Sequence, residues 1–179
     1  MQSRYWSQRH SIFSKYDEGI WMTDDAWFEV TPEPVAAKIA EHVSKAAPTS
    51  KTVLIDAFGG VGGNAIQFAL SGRWERVFAV EKDPQKVKCA KHNAEIYGVN
   101  KKIYWIVGDI FEALNKRFKG MDKDAVIFGS PPWGGESPCS WFWISSSSFS
   151  TASEPFYGTN REFNQAQAIA MQKFSTSKL

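Results

Sequence analysis

Apolar residues along this chain switch repeatedly between two periods. Short apolar runs occur at Thr52-Val-Leu-Ile-Asp56, at Arg76-Val-Phe-Ala-Val-Glu81, from Lys102 to Val107 and from Ala125 to Gly129. Each is the length of a buried strand and ends at, or just before, an acid or a glycine. Between them the apolar positions recur at helical spacing. Val35, Ile39 and Val43 form one stripe, behind Thr31-Pro32. There the Thr31 hydroxyl is expected to cap the free amides and Pro32 to take the first helical position. A second helix runs through Ile66, Phe68 and Leu70. A third starts at Asp83-Pro84, presents Val87, Ala90, Ala94 and Tyr97 on one face, and stops at Gly98. Strands alternating with helices predict an α/β fold with a parallel sheet.

The two ends break this rhythm. Residues 1–30 mix aromatic and basic residues (Arg4, Tyr5, Trp6, Arg9, Phe13, Lys15, Tyr16, Trp27, Phe28) and read as a helical or irregular arm. Residues 31–135 carry the alternating pattern. From Glu136 the character changes: Trp141-Phe-Trp-Ile144 leads into a Ser-rich tract, and residues 136–179 are expected to be poorly ordered. A weak helix around Ala166, Ile169, Ala170 and Phe174 is the one element expected there.

Composition narrows the function classes. The 179 residues suit one domain. A net charge of +2 is too small for general coating of nucleic acid, so any RNA contact has to be local. Aromatic residues make up 15%, enough to build surfaces on which bases stack. Cys89 and Cys139 are far apart, and His10, His42 and His92 are scattered, so neither a disulfide framework nor a metal site is expected. No apolar run is long enough to span a bilayer, and the first twenty residues do not compose a signal peptide.

Chemistry concentrates where the strands end. In open α/β sheets ligands bind at the carboxyl ends of the strands, and here those ends carry Asp56, Glu81, Asp109 and Ser130. After the first strand comes Phe58-Gly-Gly-Val-Gly-Gly63. Gly60 and Gly62 allow positive φ and close approach of a ligand. Gly60-Val-Gly-Gly-Asn-Ala65 also fits the dinucleotide pattern, with Glu81 at the distance of a ribose-binding acid. Asp56 favours a different cofactor. A carboxylate beside that turn repels a pyrophosphate but attracts the ammonium group of S-adenosylmethionine. Glu81 would then hold the ribose hydroxyls and Asp109 the adenine amine. Ser130-Pro-Pro-Trp133, after the fourth strand, suits an exocyclic amine. Hydrogen bonds accepted by the Ser130 side chain and a proline carbonyl hold the N–H groups and aim the lone pair, while Trp133 stacks on the base. Trp is the best ring for a cationic base.

Arg4-Tyr-Trp-Ser-Gln-Arg9, Trp27-Phe-Glu-Val-Thr-Pro-Glu33, Asp56-Ala-Phe-Gly-Gly-Val-Gly-Gly-Asn64, Asn93-Ala-Glu-Ile-Tyr-Gly98 and Ser130-Pro-Pro-Trp-Gly-Gly135 occur in this order. With them, residues 4–135 resemble the trimethylguanosine synthase family. The resemblance implies a Rossmann-like S-adenosylmethionine-dependent methyltransferase fold, converting the 7-methylguanosine cap of small nuclear and nucleolar RNAs to 2,2,7-trimethylguanosine. It implies that Phe13, Thr31, Asp56, Gly60, Gly62, Asn64, Glu81 and Asp109 line the cofactor. It implies that Ser130, Pro131 and Trp133 act on the guanine, with Pro132 and Arg4 on the substrate side and Arg4 near the cap phosphates. A nuclear or nucleolar location, with a cytoplasmic pool, follows in the same way; no metal is expected, because the sulfonium already makes the methyl group electrophilic.

The resemblance stops at Gly135. In the family further helices and strands follow, so the sheet is expected to be incomplete on that side, with an unpaired edge on the fourth strand and a truncated, inactive chain as one consequence. Two other readings compete with cap methylation. One is an N6-adenine methyltransferase using the same Ser-Pro-Pro-Trp logic; the other is a non-catalytic fragment that binds RNA or a partner.

Overall fold

The computed structural model describes the backbone of residues 3–121, 124–130 and 142–145, and the side chains of residues 5–121 and 124–130. The central sheet is built from β1 (Val53–Asp56), β2 (Arg76–Glu81), β3 (Ile103–Val107), β4 (Ala125–Gly129) and β5 (Phe142–Ser145). Their order is β3-β2-β1-β4-β5. The first four strands run parallel, and β5 lies antiparallel on β4 with Ile127 opposite Ile144. Two expectations are corrected here. β4 has a partner on both sides, and part of the segment beyond Glu136 forms a strand.

Helices cover both faces, as parallel strands require. Seven α-helices occur among the described residues. Four of them carry the packing: α4 (Glu33–Ala46), α5 (Gly63–Leu70), α6 (Pro84–Ile96) and α7 (Ile110–Lys116). α1 (Ser3–Trp6), α2 (Arg9–Ile12) and α3 (Ala26–Glu29) are single turns in the arm. The alternation of side chains along β1 and β4 divides the core. Leu54, Val126 and Phe128 face one layer with Ile39, Val43, Ile66 and Phe68. Val53, Ile55, Ala125 and Ile127 face the other, with Ile106, Ile110, Ala113 and Phe118. β1 is buried along its whole length, which fits its place at the centre of the sheet.

The arm is part of the fold rather than a loose extension. Ile12, Phe13, Ile20 and Ala26 belong to the same buried cluster as α4 and α5. α6 starts where Asp83 accepts a hydrogen bond from the Gln85 amide, and it is followed by Gly98 at φ 71°. α4 lacks the expected Thr31 cap: Pro32 precedes its first residue, and no side chain caps it. The Thr31 hydroxyl instead accepts a hydrogen bond from Asn64 Nδ2 at 3.0 Å, tying the start of α4 to α5. No helix among the described residues is long and apolar enough to cross a membrane.

Candidate active site

At the carboxyl ends of β1, β2, β3 and β4 lies a cavity of about 240 Å³. Its floor is the turn after β1, from Ala57 to Val61, followed by Gly63 and Asn64 of α5. Glu81 and Lys82 come from β2, and Gly108 to Phe111 from the junction after β3. Ser130 closes it from the end of β4. The arm adds Ala26, Glu29 and Val30 to the wall, beside Thr31 and Lys86. The first strand–helix junction and the end of the fourth strand therefore face one space, with the arm across it.

The turn owes its shape to backbone bonds and to Glu81. The Gly59 amide donates to Val80 O at 2.8 Å and the Gly62 amide to Gly59 O at 2.9 Å. Gly60 sits at φ 51° and its amide donates to Glu81 Oε2 at 3.0 Å. The other oxygen, Oε1, accepts from the Asp83 amide at 2.9 Å. A carboxylate has about four lone-pair sites, so two of these bonds leave Glu81 with acceptor capacity toward the cavity.

Asp109 is held in a similar way. Its Oδ1 accepts from the amides of Phe111 and Glu112 and caps α7. Its Oδ2 pairs with Lys82 Nζ at 2.7 Å. The Lys82 contact holds the Asp109 carboxyl below its ordinary range, and the same contact raises the Lys82 ammonium.

Asp56 stands behind the wall. Its side chain is fully buried. Oδ1 accepts from the Phe58 amide at 3.2 Å, whereas Oδ2 has no partner. Burial, with a smaller contribution from the Glu81 charge, pushes the carboxyl up to about 7. A bent local turn, rather than exposure at the strand tip, decides where this acid points.

Two other residues assigned to the cofactor, Phe13 and Gly62, lie off the wall. Phe13 is buried in the core, 6.2 Å from the Tyr97 ring, and is not on the cavity wall. Gly62 is not on the wall either. At φ 98° it starts α5, and a Cβ there would meet Trp105, Ile66 and Ala90, so it serves helix packing. Asn64 reaches the wall, but its amide is engaged with Thr31 and its Oδ1 has no partner. Thr31, Gly60, Glu81, Asp109 and Ser130 line the cavity. Pro131, Pro132 and Trp133 lie outside the described residues, as does the side chain of Arg4.

Sequence reasoning missed several wall residues. Phe58 and Phe111 present apolar surface, and the Phe111 ring is 69% exposed. Its signal was an aromatic residue two positions past a strand-end acid. Lys86 was missed too. Its ammonium is nearly buried and bonds Glu29 Oε2 at 2.6 Å and Asp25 Oδ2 at 2.8 Å. Burial opposes its charge, but the two carboxylates more than offset this and hold the ammonium above its ordinary range. The Lys86 hydrogen bond, with one from Thr23, lowers Asp25 to about 2. These ion pairs fasten α3 to α6 across the cavity mouth. The Lys86–Glu29 pair joins residues 57 positions apart, which no local pattern reveals.

The family of RNA cap guanine-N2 methyltransferases matches residues 51–140. The chain belongs to that family. Trimethylguanosine synthase of Schizosaccharomyces pombe is 42% identical over 135 residues, which are 75% of this chain and 54% of that protein. The Saccharomyces cerevisiae trimethylguanosine synthase is 39% identical over 133 residues, 74% of this chain and 41% of that protein. The chain thus spans about half the length, or less, of these two relatives. Among solved structures, an RNA methyltransferase from Salinibacter ruber in complex with S-adenosyl-L-homocysteine is similar at 22% identity and a TM-score of 0.41, over 60% of this chain and 83% of that one.

Proposed function

We propose that the cavity binds S-adenosylmethionine and that the chain methylates N2 of a 7-methylguanosine cap on small nuclear or nucleolar RNA, in the nucleus. The observation that carries this reading is the meeting of Ser130 with Gly60 and Glu81 around one cavity, in a member of the cap guanine-N2 family. Likeness to two yeast trimethylguanosine synthases supports the choice of substrate.

The residues suit that cofactor. Glu81 keeps acceptor capacity for a ribose diol beside the turn. Asp109 and the exposed ring of Phe111 suit an adenine amine and face. The Glu81 carboxylate, hydrogen-bonded to the Gly60 and Asp83 amides beside the turn, favours a cation over a pyrophosphate. When bound, S-adenosylmethionine supplies an electrophilic methyl group on a sulfonium.

The chain's own part is alignment. The exocyclic amine of guanine is a weak nucleophile, because its lone pair is delocalised into the ring. Ser130, with a carbonyl of the following proline pair, accepts its N–H bonds and turns the lone pair toward the methyl group. Trp133 supplies a stacking face, worth roughly 1–3 kcal/mol. The surplus proton leaves to solvent, since Ser130 is only partly buried. Positioning accounts for most of the rate enhancement in such a site.

Incubating the chain with S-adenosylmethionine and 7-methylguanosine-capped RNA, followed by nucleoside mass spectrometry, tests the reading. Dimethylated and trimethylated cap guanosine are expected, with no product on a cap lacking the 7-methyl group. Methyl groups on adenine N6 would transfer the assignment to an adenine methyltransferase. Absence of any product would leave a binding fragment.

A further inference from the structure

We infer that Asn93 is a positioning residue that couples docking of the arm to the shape of the glycine turn. The inference rests on the cavity being the methyl-donor site. Asn93 lies on α6, is fully buried, and does not reach the cavity wall. Its side chain nevertheless makes three hydrogen bonds to two separate backbone segments. Oδ1 accepts from the Trp21 amide at 2.8 Å. Nδ2 donates to Trp21 O at 3.0 Å and to Val61 O at 3.0 Å.

Each contact is specific to an amide. A buried side chain that must accept one N–H and donate to two carbonyls has to carry both an acceptor and two donors, and Asn supplies them from one rigid group. Val61 belongs to the turn, between Gly60 and Gly62, and itself lines the cavity. Trp21 belongs to the arm and lies outside the cavity, its ring stacked on His92 at 3.9 Å. A change in the position of either segment is therefore felt by the other through one side chain. Four residues on, Tyr97 holds the arm without touching the turn. Its hydroxyl donates to Glu33 Oε2 at 2.5 Å and accepts from the Lys15 amide at 3.4 Å. Asn93 and Tyr97 stand one helical turn apart on the same face, and Asn93 also bonds Val61, which lines the cavity floor.

Coupling of this kind is reciprocal. A ligand that settles the turn must also settle Trp21, and loosening Trp21 must weaken the ligand. The test uses the full chain with S-adenosylhomocysteine as the probe, calorimetry for affinity, and amide hydrogen exchange read at Trp21 and at residues 58–64. In the wild type, saturation with the probe should slow exchange at Trp21 as well as in the turn. Asn93→Asp keeps the acceptor for the Trp21 amide but loses both donors. It should weaken the probe by roughly tenfold or more and speed exchange in both segments together. Tyr97→Phe should loosen residues 14–16 and leave affinity within about twofold.

Faster exchange at Trp21 in Asn93→Asp with unchanged affinity would overturn the inference and leave Asn93 as an arm anchor only. Should that variant fail to fold, the wild-type experiment decides alone: an unchanged Trp21 exchange rate at saturation refutes the coupling. A wild-type chain that binds no probe at all would instead defeat the methyl-donor reading.

Discussion

Asp56 shows how one residue's surroundings set its chemistry. Its carboxyl is fully buried, has one amide partner, and rises to about 7 because burial disfavours the charge. An acid whose folded value lies above its unfolded one binds more protons folded than unfolded, so stability falls as pH rises between the two values. That window runs here from the ordinary value of 3.8 to about 7. Thermal unfolding should therefore show a lower Tm at about pH 8 than at about pH 5, and Asp56→Asn should narrow the gap. A gap of the same width in the variant would place the titrating group elsewhere. The sequence marks Asp56 as chemically important, since it sits at a strand tip beside glycines. It does not show that a turn bond to Phe58 draws the carboxylate under the wall, because that depends on the path of two following residues.

Elements were legible where local signals agreed with tertiary demands. β2 and β4 begin and end at the expected residues, and α6 runs from its Asp83 cap toward Gly98. Thr31 is where local reasoning failed. It has the right chemistry for a cap, but Asn64 competes for its hydroxyl, and a contact across 33 positions decides the outcome. α7 was missed because it is a short helix of seven residues whose buried face is only Ile110 and Ala113. β5 was missed because its short apolar run abuts a Ser-rich tract whose composition reads as poorly ordered. The contact between α5 and the arm gives a test at this scale. A Cβ on Gly63 would stand 3.0 Å from Val30 Cγ2 and 3.1 Å from Thr31 O. Gly63→Ala should therefore prise the arm from α5 and cost about 1–3 kcal/mol, measured by denaturant unfolding. Wild-type stability in that variant would mean that the arm yields without loss.

At the scale of the whole molecule, the topology does most of the functional work. Parallel strands in the order β3-β2-β1-β4 bring every strand-end residue of interest to one edge. Glu81, Asp109 and Ser130 meet there although long stretches of chain separate them. The arm then closes the space from outside, held by the ion pairs of Lys86 and the hydrogen bonds of Asn93 and Tyr97. The order of motifs made the cavity floor readable from the sequence. The arm's part was less readable, since Glu29 and Lys86 look like ordinary surface charges until the fold brings them together.

The central claim is that this cavity receives a methyl donor whose ribose rests on Glu81. Calorimetric titration of S-adenosylhomocysteine into the full chain and into Glu81→Ala tests it most directly. The wild type should saturate at one ligand per chain, and the variant should bind roughly ten- to a hundredfold more weakly, as loss of charge-assisted hydrogen bonds predicts. Equal affinity in the two proteins, or no saturation in the wild type, would contradict it.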